Sequence, residues 1–137
     1  PTYCTALSSQ RRAIPPFHYM VAICGGMEIP CADYASFGSQ ELSDNMLAAL
    51  GPNHKSVLLA NHGMICHGPS LDKALYFANE TECLAKQYLC ALSTGTPPLL
   101  LTDQEMRVML AKFKSYGKQP ADIPPLNDFE KQHAIAP

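Results

Sequence analysis

Residues 58–68 read LLANHGMICHG, and this stretch decides the fold class. Leu58-Leu59-Ala60 and Met64-Ile65-Cys66 are short apolar runs of strand character, and Asn61-His62-Gly63 between them reads as a tight break. Residues 56–67 are therefore predicted as strand, turn, strand. Outward from there the pattern becomes helical. Ser39 precedes Leu42, Met46, Ala49 and Leu50, spaced for one helix face, and Gly51-Pro52 ends that run. Ser70 opens the longest helical segment, from Leu71 to about Ser93. Its predicted apolar stripe is Leu71, Leu75, Ala78, Ala85, Leu89 and Leu92, widened by Phe77, Leu84, Tyr88 and Ala91. Thr102-Asp-Gln-Glu105 is a capping box before a helix that buries Met106, Met109, Leu110 and Phe113.

Toward the N-terminus, Tyr3 to Ser9 is a short helix led by a proline. FHYMVAICGG (17–26) reads as a strand closing on a Gly-Gly turn, and MEIPCADYASFGS (27–39) as a second extended piece that Pro30 marks as an edge. Connections this short favour antiparallel strands within a mixed α/β class. From residue 118 the chain turns Pro-rich and aperiodic, so the expected division is a domain over 1–117 and a tail over 118–137.

The 137 residues suffice for one domain with a real core, and 47% hydrophobic against 16% charged content leaves a weakly charged surface that hints at a buried oligomer interface. A net charge of −2 gives no footprint for nucleic acid or an anionic membrane. No apolar run has membrane-spanning length, and the start lacks the pattern of a signal peptide. Six cysteines stand at 4, 24, 31, 66, 83 and 90 with no C-x-x-C pair. Their placement in apolar stretches is that of buried free thiols in a reducing, cytoplasmic setting. The chain opens at Pro1 as if already inside a domain, which raises the expectation of missing upstream residues.

Five histidines are present, and His62 interrupts the most strand-like stretch. It reads either as a core imidazole bonded to a carbonyl or as a metal ligand, and Gly63 beside it permits close approach of another group. Zinc catalysis takes three protein ligands and an open position. His67 faces away from His62 by strand count, so nothing nearby completes a site. Tyr19, placed beside His18 in the expected strand, and Tyr116 read as packing aromatics or proton donors. No P-loop, dinucleotide fingerprint, nucleophile elbow or zincin helix is present. Spacing alone names no function.

Taken together, TYCTALS (2–8), IPPFHYMVAICGGMEIPCADYASFGSQEL (14–42), LLANHGMICHG (58–68), LDKALYFANETECLAKQYL (71–89) and KFKSYG (112–117) resemble successive blocks of the class II aldolase/adducin family. The similarity runs from Pro1 to Gly117 and points to members acting on L-fuculose 1-phosphate. It implies an α/β/α layered domain around a largely antiparallel sheet, assembled as a homotetramer with sites between subunits. The implied reaction is a zinc-dependent, reversible cleavage of that sugar phosphate to dihydroxyacetone phosphate and L-lactaldehyde. The resemblance gives His62 the role of one of three histidine ligands, the zinc acting as a Lewis acid. Tyr19 of a neighbouring subunit becomes the proton donor or acceptor at the aldehyde oxygen. Phe37, Phe113 and Tyr116 become the aldehyde-side wall. The family's H-x-H ligand pair, proton-shuttling glutamate and phosphate-cradling residues correspond to positions before Pro1. The chain is thus expected to be a C-terminal portion, inactive and poor at holding zinc alone. The same scaffold also serves sugar-phosphate 4-epimerases, dehydratases and non-catalytic adducin-like assembly modules.

Overall fold

The computed structural model describes residues 1–114. Tyr116 and the expected tail over 118–137 lie outside them. Four α-helices, one 3-10 helix and three strands follow one another: α1 (Thr2–Ser8), the 3-10 helix (Tyr19–Cys24), β1 (Cys31–Ala32), α2 (Gln40–Leu50), β2 (Ser56–Leu59), β3 (Gly63–Cys66), α3 (Leu71–Leu92) and α4 (Asp103–Phe113). The sheet order is β1-β2-β3.

Strand β2 is buried along its whole length, and its alternation explains why. Val57 and Leu59 point to one face, where they join Ala32 and the α2 residues Met46, Ala49 and Leu50. Leu58 points to the other, into a larger core built from Cys4, Leu7, Val21, Cys24, Leu84, Ala85, Tyr88 and Met106. Side chains of successive strand residues leave opposite faces, so a strand covered on both sides reads as an unbroken apolar run. The result is α2 on one side of the sheet and the remaining helices on the other, an α/β/α arrangement. Each fully buried large side chain, such as Leu84 or Met106, contributes about 1.5–3 kcal/mol.

Strand pairing is mixed. β2 and β3 form the expected antiparallel hairpin, with Leu58 opposite Met64. β1 instead runs parallel to β2, Cys31 opposite Leu58, because residues 33–55 include α2 and carry the chain back across the sheet. Pro30 accepts at its carbonyl from the Leu58 amide at 2.8 Å, a role that needs no N–H of its own.

Helix starts match the sequence signals. Ser39, Ser70 and Thr102 each accept from an amide of the first turn, and Glu105 completes the capping box by reaching back to Thr102. Residues 17–26 differ from the strand expected there. The His18 ring accepts from the Met20 amide and the chain coils into the 3-10 helix, which Gly25 ends at φ 91°. Val21, Ala22 and Cys24 face inward and pack toward α3 and α4. The segment buries one side against helices and pairs with no strand, and a three-residue period does that better than alternation.

The α3 stripe also differs. Its buried residues are Thr81, Leu84, Ala85 and Tyr88, whereas Leu71 and Leu75 are exposed. All six cysteines are free. Cys4 and Cys24 are buried as expected, while Cys83 and Cys90 are exposed on α3. No helix of the described residues is long and apolar enough to cross a membrane.

Beneath the sheet lies a small polar junction. Thr81 Oγ1 is 2.8 Å from Ser56 Oγ and 2.7 Å from the Phe77 carbonyl. The Cys66 thiol donates to Ser56 at 3.3 Å, and Cys24 Sγ lies 3.6 Å from both hydroxyls. Each hydroxyl has a partner, so this cluster joins the 3-10 helix, both hairpin strands and α3 without an orphaned group.

Candidate active site

His62 occupies the hairpin turn and is exposed to solvent. The turn is built by left-handed or otherwise special backbone: Asn61 sits at φ 56° and Gly63 at φ 149°. Asparagine tolerates the first and glycine the second. The Asn61 amide donates to the Ser8 carbonyl at 2.9 Å, and its Oδ1 accepts from Arg11 Nε at 2.8 Å. Arg11 is itself left-handed at φ 53°, where the chain leaves α1. Two strained residues therefore clasp each other and hold the turn against α1. That clasp orients His62 toward a cavity of about 320 Å³ whose walls include Pro1, Thr5, Ser43, Met46 and Met64.

The α1 wall of this cavity is itself anchored from a distance. The two carboxylate oxygens of Glu82 on α3 accept from the amides of Tyr3 and Cys4, each at 2.9 Å. Burial works to raise the Glu82 carboxyl, but the two backbone amides and the Cys4 thiol outweigh it and hold it below the ordinary value. Cys4 is pushed upward, first by its burial and then by the neighbouring carboxylate. Charged acceptors on helix amides contribute about 1.5–3 kcal/mol, so Glu82→Ala is expected to cost roughly 2 kcal/mol in urea unfolding. Because the folded carboxyl is depressed, this contribution is whole above the unfolded value near 4.5. It disappears as pH falls through the lower folded value. Glu82→Gln is expected to flatten that part of the acid limb; an unchanged limb would refute the anchor.

The other expected site residues are elsewhere. Tyr19 opens the 3-10 helix with its ring half exposed at 49%. It stacks on His18 at 4.7 Å and lies nearly parallel to Phe113 at 6.5 Å. Tyr19 and Phe113, from opposite ends of the described chain, are thus brought together. Phe37 is 88% exposed, on a turn closed by Ser39 donating to the Ser36 carbonyl, and has no ring partner among the described residues. The His54 carbonyl accepts from His67 Nε2, 2.9 Å away, and His67 does not join His62. Within one chain, then, His62 and the Tyr19–Phe113 pair occupy different places.

His62 is an accessible imidazole on a cavity wall, but among the described residues no three His, Cys, Asp or Glu side chains come together to hold an ion. These residues alone do not complete a zinc site. Sequence reasoning missed Arg11 and Glu82, and read Asn61 as part of the break without its contacts; these residues position the turn and the helix. Asn61 was the legible one, since asparagine before a histidine-glycine pair is a left-handed turn signal.

Comparison with known proteins adds the rest. Residues 1–89 match the model of the family described as "Class II Aldolase and Adducin N-terminal domain". The chain is 49% identical over 115 residues to the L-fuculose phosphate aldolase of Escherichia coli K12, covering 84% of this chain and 53% of that protein. It is 47% identical over 115 residues to a 5-methylthioribulose-1-phosphate/5-deoxyribulose-1-phosphate aldolase of Rhodospirillum rubrum, covering 84% of this chain and 51% of that one. A solved L-fuculose 1-phosphate aldolase superposes with a TM-score of 0.77 at 39% identity, over 82% of this chain and 52% of the other. The chain spans about half the length of the curated relatives it matches.

Proposed function

The chain belongs to the class II aldolase and adducin family, and from that premise we propose that it is the C-terminal portion of a zinc-dependent class II aldolase. Its reaction is the cleavage of L-fuculose 1-phosphate to dihydroxyacetone phosphate and L-lactaldehyde. The observation that carries this reading is the cavity shared by His62 and Pro1. A chain segment arriving at Pro1 with the family's H-x-H pair would deliver two more imidazoles to the cavity that His62 faces. Bound there, zinc would supply Lewis-acid stabilisation of the charge left on the ketose fragment.

The chain's own residues have distinct tasks. His62 holds one ligand position. Tyr19 takes the proton from the hydroxyl that becomes the aldehyde oxygen, and returns it in the synthetic direction. Its half-exposed ring can be presented to a neighbouring subunit of a homotetramer, where it meets the substrate. Phe113, parallel to Tyr19, fixes the phenol's direction, and the family resemblance assigns it, Phe37 and Tyr116 to the side that receives the short aldehyde.

The near-equal identities of 49% and 47% to the two kinds of aldolase favour a second substrate, 5-deoxyribulose 1-phosphate, whose aldehyde half is similarly small. The test is release of dihydroxyacetone phosphate by the full-length protein from each ketose phosphate, before and after chelation. Activity lost to a chelator and restored by zinc supports the proposal, and equal rates in both states overturn the metal role. Tyr19→Phe is expected to lower kcat about a hundredfold, the usual size of a lost acid–base group.

A further inference from the structure

Bordering Phe113, the ring partner of Tyr19, a second and larger cavity of about 820 Å³ opens between the 3-10 helix, the loop before β2, the start of α3 and the end of α4. We propose that it binds a phosphate-bearing small molecule with a flat, apolar body, separate from the site faced by His62. The side chains of three lysines, Lys55, Lys73 and Lys114, line it, and among the described residues no aspartate or glutamate does. The whole chain carries a net charge of −2, so concentrating three lysines around one concavity is a local reversal of sign. Low-dielectric walls focus that field and raise the local concentration of anions.

The apolar lining supplies the rest. Tyr76, Phe77 and Phe113 contribute aromatic faces, and the Lys73 ammonium lies over the Tyr76 ring at 5.4 Å. A cation held against an aromatic face keeps its charge directed into the cavity while the ring remains available for stacking. The volume falls within the range of small-molecule sites. Neither inorganic phosphate nor a bare hydrocarbon uses both halves of this lining, whereas a nucleotide does.

The backbone beneath is firm enough to hold such a site. The Lys55 amide donates to the Cys24 carbonyl at 2.7 Å, and the Lys55 carbonyl accepts from the His67 amide at 2.9 Å. Lys55 therefore projects from a residue bonded on both sides.

The experiment is calorimetric titration of the purified protein with ADP, inorganic pyrophosphate and adenosine. The expected result is saturable one-to-one binding of ADP, with pyrophosphate and adenosine each at least tenfold weaker because each meets half of the lining. A Lys55→Gln, Lys73→Gln variant is expected to bind ADP at least tenfold more weakly while unfolding at the same temperature, since both side chains lie on the cavity surface. His62→Ala is expected to leave ADP binding unchanged, which separates this site from the aldolase reading. No saturable ADP binding, adenosine binding as tightly as ADP, or undiminished binding by the double lysine variant would each overturn the proposal.

Discussion

Replacing His62 by alanine in the full-length protein is expected to lower kcat/KM about a thousandfold and to strip the purified enzyme of zinc. A Lewis acid is worth several kcal/mol at a developing negative charge, and each 1.36 kcal/mol is tenfold in rate, so losing roughly 4 kcal/mol gives that size. Metal content separates the ligand role from a packing role. An imidazole that only filled space would leave zinc bound. The control is His67→Ala, which removes a ring held at the His54 carbonyl and is expected to retain both zinc and activity. His62→Ala with full zinc occupancy and ordinary turnover would end the aldolase account of this residue.

The second large effect concerns stability. Gly25→Ala is expected to destabilise the protein by roughly 3 kcal/mol or more, measured by urea or thermal unfolding. Gly25 lies at φ 91°, and a Cβ there would collide with the carbonyl of Asn53. Left-handed backbone costs an L-residue about 1–2 kcal/mol, and the obstacle is main chain, which cannot swing aside. The neighbouring Gly26 is packed against the His54 ring. Gly26→Ala is expected to cost less, because a side chain can move and a carbonyl cannot. Equal stability of Gly25→Ala and the parent protein would refute the close approach.

These glycines also show where the sequence stopped being informative. Gly25-Gly26 reads as a turn from composition, and it is one. Nothing local reveals that the loop at 53–54 lies against it. The helices were legible because Ser39, Ser70 and Thr102 are local caps whose partners each stand three residues on. The hairpin was legible because Asn61 and Gly63 satisfy special backbone angles at the break. The segment 17–26 was not. Over so few residues Val21 and Cys24 fit a three-residue period as well as their neighbours fit alternation, and only the helices packed beside it choose between them. The same limit applies to Leu71 and Leu75, whose spacing is helical but whose exposure depends on what packs beside α3.

The site divides along the same line. His62 stood out because it interrupts an apolar stretch, and it does face a cavity. Phe113 and Tyr19 were separate candidates on the chain, and their near-parallel stacking is a tertiary fact with no local mark. Family resemblance named both residues without placing them. The supporting residues, Arg11 and Glu82, carry no motif at all, because an arginine leaving one helix and a glutamate within another are ordinary surface residues until their partners arrive.

Glu82 has one more consequence, which concerns the order of events during folding. Helix α1 has seven residues, too few to persist alone in water. The carboxylate that satisfies its first amides is 78 and 79 positions away. The 22-residue α3 can form early from local contacts, whereas α1 must wait for that long loop to close. The wall beside His62 is therefore assembled late, and amide exchange should find α1 opening more readily than the middle of α3.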